Sequence, residues 1–388
     1  MRIAVFGGSF NPPHIGHVEA ARAALDTLGA AKLIVVPAAT PSHKEQPADT
    51  PSAEERLALT RAAFAELPNT EVSDIELLRG GISYTVDTLE TLQAQYPDAE
   101  LSLLMGTDML MCFEEWKNYA HILELASLAV FPRKNGEAND ICKMREHLEH
   151  QNGAKIYEVN FTPTDISSTE LRTMLRERCG NDLIPAPAYA EIIKHRYYNA
   201  APAFSWLREK SYAYLNEKRI PHVRGCEQTA VSLAERWGAD KGLAAEAGIL
   251  HDITKKLKAE EQLNLCEKYD IIADGDEKNN YKLLHAKTGA ALSRELFGIS
   301  DAVYGAIYWH TTGRENMTLL EKIIYMADYM EPHRDFDGVL ELRRLAYESL
   351  DDAVILGLQM SLDDLASRGN IPHKNSIKAM EWLKRSKC

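Results

Sequence analysis

Two groups of residues in this chain are of the types that handle phosphate. The first opens the sequence: Ile3-Ala4-Val5-Phe6-Gly7-Gly8-Ser9-Phe10-Asn11-Pro12-Pro13-His14-Ile15-Gly16-His17. Free backbone N–H groups at a strand-to-helix junction favour an anion, and Gly7 and Gly8 let a ligand approach the backbone closely. His14 and His17, three apart, share the first turn of the helix expected to begin near Gly16 and point into the same space. Donors placed there can take up charge as it develops on a leaving pyrophosphate. The second group is His222, His251-Asp252, His285, His310 and Asp328. Any one of these histidines alone would most simply be a satisfied core or surface residue. Carboxylates inside apolar helical stretches are costly unless paired, however, and a metal removes that cost. Five groups of nitrogen and oxygen ligands point to a metal site, and this donor set suits iron or manganese better than magnesium.

The elements that must position these residues differ between the two halves. Lys32-Leu33-Ile34-Val35-Val36-Pro37 is a continuous apolar run that suits a buried parallel strand. With the opening strand and helix it makes a βαβ unit, whose ligands bind beyond the strand C-termini. His43 and Lys44, in the loop that follows, would lie near the same crevice, although most lysines are simply solvated. Ser52 and Glu55 form a capping-box pattern, 71–76 alternates like a strand, and 80–89 turns into a helix. Leu101 to Asp108 repeats the theme of apolar strand and tight turn. Asp108 there can accept from ribose hydroxyls or cap the next helix. Trp116 alone reads as core. A further strand covers 127–133, and Ser167 and Ser168 at a helix N-terminus, with Arg172 one turn later, form a second phosphate cradle or, more simply, a capped helix with a surface Arg. Asn199-Ala200-Ala201-Pro202-Ala203-Phe204 breaks the pattern, and amphipathic helices follow one another beyond it. The second domain is expected to be all-α.

Bulk properties narrow the partners. The chain has 388 residues, 45% apolar and 26% charged, the composition of a soluble globular protein with room for two cores. No apolar run is long enough to span a bilayer and the chain opens on a strand, so no membrane partner and a cytoplasmic location are expected. Of the net charge of −13, the larger part, −10, falls in residues 1–200. Neither half has the basic footprint of a nucleic-acid binder. The six cysteines show no CxxC spacing and read as free thiols. Whether the chain forms a homo-oligomer is open.

Taken in order, GSFNPPHIGH, PSHK, SYTVDTLE, MGTD, FEEW and ISSTELR resemble the nicotinate-nucleotide adenylyltransferase family over 1–198, a Rossmann-like α/β fold with a parallel sheet. The resemblance implies that nicotinate mononucleotide attacks the α-phosphate of ATP directly, with Mg²⁺, giving deamido-NAD and pyrophosphate. It assigns Gly7, Gly8, Ser9, Phe10, His14, His17, Ser167, Ser168 and Arg172 to ATP and its phosphates, and Gly106 and Asp108 to the adenosine. Lys44, Thr85 and Trp116 would meet the nicotinate nucleotide, and His14, His17, Lys44 and Arg172 would be the catalytic groups. Ser42 stands where a second proline is more usual. Past a linker at 199–204, residues 205–388 resemble the HD phosphohydrolases, an all-α helical bundle, on the order H…HD…H…H…D. Their context is similar to the branch that hydrolyses diadenosine tetraphosphate symmetrically to two ADP. By position His222, His251, Asp252 and Asp328 would hold one metal, and His285 and His310 a second bridged by Asp252. These ions would be iron or manganese, with Lys255 on a phosphate. Other readings stay open at this point. The helical half could act on a cyclic dinucleotide or serve as a regulatory or structural module, and the first half could use another mononucleotide acceptor.

Overall fold

The computed structural model describes residues 1–41, 47–164 and 166–386, and separates into two compact units, Met1–Ala201 and Pro202–Cys388. In the first, strands β1 (Arg2–Gly8), β2 (Lys32–Pro37), β3 (Thr40–Pro41), β4 (Thr70–Val72), β5 (Ile82–Ser83), β6 (Glu100–Gly106), β7 (Ala126–Phe131) and β8 (Ile156–Glu158) alternate with helices. Six of them form one sheet of order β4-β2-β1-β6-β7-β8, and every pairing in it is parallel. The strands are apolar on both faces, as a sheet covered by helices on each side requires. Ile3, Val5, Ile34, Val36, Leu101, Leu103, Leu128 and Val130 join one core with Leu89, Phe113, Ile122 and Ile141. The alternate residues Ala4, Phe6, Leu33 and Val35 are equally buried.

The strand order reverses between β1 and β6, since the chain runs outward to β2 and β4 from one and to β7 and β8 from the other. That divergence opens a crevice beyond the strand C-termini, and Gly8 and Gly106 are the last residues of the two central strands. The short β3 pairs with β5, and Ser83 Oγ accepts from the Ala39 N–H at 3.0 Å. This pairing ties the loop after β2 to the start of the helix Thr85–Gln95. The strand expected over 71–76 ends at Val72 instead, and Ile75–Arg79 is a short helix. Alternation over so few residues does not distinguish a strand from a half-buried turn of helix.

The described part of Pro202–Cys388 is built of helices and turns, without a strand. At its centre the helix Ile220–Trp237 packs against Lys241–Leu250 and Leu319–Met330. A Cβ on Gly248 would lie 2.7 Å from Glu227 Cα, so the first two helices cross closely enough to need glycine. The helix carrying the His-Asp pair ends sooner than its apolar pattern suggests. His251 is its C-cap and Asp252 lies in the turns beyond it. No helix among the described residues is long and apolar enough to cross a membrane.

Candidate functional sites

The first site forms where β1 ends. Gly7 is exposed, and a methyl group there would meet nothing within 4 Å, so the backbone is open above it. Gly8 is small for a different reason than expected: its Cβ would press on the Phe10 ring at 3.1 Å. Phe10 has φ 43°, a region unfavourable to a bulky residue. Its buried ring meets Phe6 at 5.4 Å, Phe64 at 5.9 Å and His17 at 5.1 Å. That ring anchors the turn in the core.

His14 caps the helix Ile15–Leu28, and its backbone N–H donates to His17 Nδ1 at 3.2 Å. The two rings stand 3.7 Å apart. With Nδ1 accepting, a neutral His17 carries its proton on Nε2 and presents a donor. Both ring nitrogens of His14 are buried without a hydrogen bond. Burial, then the charge of Arg133, pushes the His14 pKa down to about 3. Burial, His14 and Arg133 together lower that of His17 as well. Arg133, two residues beyond β7, was not singled out in the sequence. Its one available signal is a cation just past the end of a strand beside the crevice.

The second cradle is brought against the first. Ser168 Oγ donates to Pro12 O at 3.1 Å, and Arg172 Nη1 donates to Asn11 O at 2.8 Å. Ser167 caps the helix Ser168–Arg176 in a reciprocal box with Glu170. Arg172 is buried, not the surface residue of the simpler reading, and with Ser168 it braces the loop that carries the histidines. Arg56, also buried, braces the same loop by donating to Ser9 O and Ala39 O, each at 2.9 Å. At the end of β6, a Cβ on Gly106 would lie 2.6 Å from Asp108 Oδ1 and 2.7 Å from Arg133 Cδ. Asp108 is exposed at the crevice rim, 3.8 Å from Arg133 Nε. Thr85 opens its helix, and Trp116 is half-buried against Phe113. Lys117 spans the two, with Nζ 4.2 Å from the Tyr84 ring centroid and 3.3 Å from Asp87. Lys44 and His43 lie outside the described residues.

The second site gathers all six expected metal-ligating residues. His222 Nε2 stands 3.3 Å from His251 Nε2, and His285 Nε2 stands 3.1 Å from His310 Nε2. Asp252 faces both pairs. Its Oδ2 lies 3.8 Å from His222 Nε2 and 3.4 Å from His251 Nε2, and its Oδ1 lies 3.1 Å from His285 Nε2 and 3.8 Å from His310 Nε2. Asp328 Oδ1 closes the first set at 3.0 Å from His222 Nε2 and 4.0 Å from His251 Nε2.

The outer ring nitrogens explain why the inner ones converge. His251 Nδ1 is held by Gly248 O at 2.8 Å, His310 Nδ1 by Ile307 O at 2.6 Å and His285 Nδ1 by Lys282 O. A carbonyl accepts only, so each Nδ1 carries a proton and each Nε2 offers a lone pair to the centre. Lone pairs facing one another at these distances repel unless something positive lies between them. Ligand atoms bound about 2.1 Å from one ion stand roughly 3 Å apart, so the residues fit a divalent ion. Oδ1 of Asp252 is buried without an aligned hydrogen bond, which fits the same reading. Burial works against charge on Asp252, yet His251, His285 and His310 hold its carboxyl well below the usual range. Burial likewise opposes charge on Asp328, and His222 and His251 overcome it. Burial pushes His285 down to about 4, with Asp252 partly opposing. Cations line the rim. Arg219 Nε donates to Asp252 Oδ2 at 2.6 Å, Arg334 Nη2 to Asp328 Oδ1 at 2.7 Å, and Lys255 Nζ to His285 Nε2 at 3.0 Å. Arg219, Arg334 and Glu331 were not singled out in the sequence, because a lone charged residue in a helical stretch reads as surface.

A third group, Asp274, Asp276 and His373, has ligand types at close range but already contains a cation. Lys374 Nζ lies 3.0 Å from Asp274 Oδ2, and His373 Nδ1 accepts the Asn375 N–H at 3.1 Å. A neutral His373 therefore carries its proton on Nε2, the nitrogen that faces Asp274. The described cysteines are all free, as expected.

Fold and sites together define a nucleotidyltransferase-type α/β domain followed by a metal-binding helical domain. Residues 5–174 match the family described as Cytidylyltransferase-like, and residues 219–332 match the HD domain. A Mycoplasma pneumoniae protein named probable nicotinate-nucleotide adenylyltransferase/Ap4A hydrolase is 30% identical over 85% of this chain and 88% of its own length. The chain belongs to the family of that two-domain protein. A Geotalea daltonii protein named probable nicotinate-nucleotide adenylyltransferase is 35% identical over 51% of this chain and 99% of its own. A Halalkalibacterium halodurans protein named bis(5'-nucleosyl)-tetraphosphatase, symmetrical, is 45% identical over 44% of this chain and 91% of its own.

Proposed function

We propose that the chain is a bifunctional enzyme. Residues 1–198 transfer the adenylyl group of ATP to nicotinate mononucleotide, and residues 205–388 hydrolyse diadenosine tetraphosphate symmetrically to two ADP. The observation that carries this reading is the likeness to a relative named for both activities across 85% of the chain.

In the first unit the crevice between β1 and β6 receives ATP with its Mg²⁺, which enters on the phosphates. The described residues of this unit gather no His/Asp/Glu/Cys ligand group of their own, and Mg²⁺ usually binds nucleotide enzymes through substrate phosphates. His17, with its proton on Nε2, donates to the phosphate chain, and the Arg133 guanidinium adds positive charge where pyrophosphate departs. Open backbone at Gly7 lets phosphate approach. Arg172, Ser168 and Arg56 keep the loop in the shape that aims these donors, so much of the catalytic effect is positioning. Asp108 meets the ribose. Thr85, Trp116 and Lys44 hold the acceptor, with the indole against the pyridine ring.

In the second unit His222, His251, Asp252 and Asp328 would hold one divalent ion, and His285, His310 and Asp252 another. The donor set favours iron or manganese. When bound, such ions stabilise charge on phosphoryl oxygens and lower the pKa of water. The chain's own residues do the rest: Arg219, Arg334 and Lys255 orient the polyphosphate, and the carbonyl-anchored imidazoles keep the ligand lone pairs aimed inward. The deciding experiment incubates the whole, iron- or manganese-reconstituted chain with each substrate set and resolves the products. Deamido-NAD from nicotinate mononucleotide, and ADP alone from diadenosine tetraphosphate, are expected. ATP plus AMP, or a preference for nicotinamide mononucleotide, would overturn the corresponding half.

A further inference from the structure

His222 is the one imidazole of the metal cluster whose outer nitrogen is not held by a neighbouring carbonyl. Its Nδ1 lies 3.1 Å from Glu331 Oε1, a carboxylate 1% exposed. The other oxygen of Glu331 accepts the His333 N–H at 2.7 Å and lies 2.9 Å from His333 Nδ1. The helix carrying His222 makes room for this carboxylate. A Cβ on Gly225 would stand 2.3 Å from Glu331 Oε2, so only glycine permits the approach. The turn that presents Glu331 is pinned by Arg343, which donates to the carbonyls of Met330, Glu331 and Arg334, each at 2.8 Å. The same turn carries Arg334, which holds Asp328.

We propose that Glu331 is a positioning residue for the metal centre. Its carboxylate accepts only, so it fixes the proton of His222 on Nδ1 and leaves the Nε2 lone pair facing His251 and Asp328, while Gly225 supplies the space that lets it do so. The inference rests on the metal reading of this cluster, and its test separates the two. Glu331→Gln keeps the size but adds an amide donor, which can turn toward His222 and move the imidazole proton to Nε2, where it blocks a ligand position. Two quantities are read on the full chain: the tautomer of His222 by nitrogen-15 NMR without metal, and manganese affinity by calorimetry. The expected result is a change from the Nδ1–H to the Nε2–H form and a loss of affinity of about 10- to 100-fold, with an unchanged thermal midpoint. A general loss of fold would lower that midpoint without selecting one tautomer. If Glu331→Gln does not fold, His333→Ala takes its place. That side chain is 60% exposed, and its removal takes one donor from the Glu331 carboxylate. A loss of affinity smaller than that from losing a direct outer-shell partner is expected from so indirect a change. An unaltered tautomer with unaltered affinity in the folded variant overturns the role of Glu331. Failure of the parent chain to bind manganese or iron overturns the metal reading, whereas the tautomer still reports on the hydrogen bond itself.

Discussion

At the residue scale, the two sites use histidine in opposite ways. In the helical unit outer nitrogens are fixed so that inner ones accept, whereas His17 accepts inward within its own turn and so donates outward. Replacing His17 by Ala removes a donor aimed at developing charge, and adenylyl transfer is expected to fall about 10²- to 10³-fold, with diadenosine tetraphosphate hydrolysis unchanged in the same preparation. His14 also gives stability a pH dependence. Its pKa is about 3 in the fold against 6.5 ordinarily, because burial and Arg133 disfavour the imidazolium. Below pH 6.5 the unfolded chain therefore binds the proton that the folded chain refuses. The stabilising term is complete above that pH and declines as the pH falls toward 3, by about 1.4 kcal/mol per pH unit for one such group. Urea unfolding of the first unit between pH 7.5 and 5 should show this decline, and His14→Asn should make it shallower, with His17 supplying the remainder. These histidines were legible in the sequence because their types and spacing have few other uses. Arg133, Arg56, Arg219 and Glu331 were not, since only the folded chain shows that they are buried or aimed.

At the scale of elements, the parallel strands were readable from continuous apolar runs, and the helical half from its amphipathic periodicity. What failed was local. Residues 71–76 alternate over too short a span to separate strand from helix, and the helix ending at Leu250 stops before the His-Asp pair although the apolar pattern continues. The ending matters for chemistry. From that turn Asp252 presents one oxygen to each pair of imidazoles. Gly248, one turn earlier, sets the crossing that brings His222 beside His251. Gly248→Ala would place a methyl 2.7 Å from the Glu227 backbone. The expected cost is about 1–3 kcal/mol, read as a lower urea midpoint of the helical unit, together with weaker metal binding because the two histidines are levered apart.

At the scale of the whole molecule, the residues assigned to each proposed activity fall within one unit, so the activities should separate. Chelation followed by excess Mg²⁺ is expected to leave adenylyl transfer intact and hydrolysis abolished, with manganese or iron restoring only the second. Loss of both in His251→Ala, with the first unit still folded, would contradict this independence. The three imidazoles held by their own preceding carbonyls carry a kinetic corollary. Each ring takes its direction from a backbone atom three residues earlier, at Gly248, Lys282 and Ile307, so three of the ligand directions are set by short-range geometry. Uptake of manganese in a stopped-flow instrument should then be one phase, first order in ion. Its rate should be governed by how fast the aqueous ion sheds water, with no slower step in which the protein rearranges around its guest.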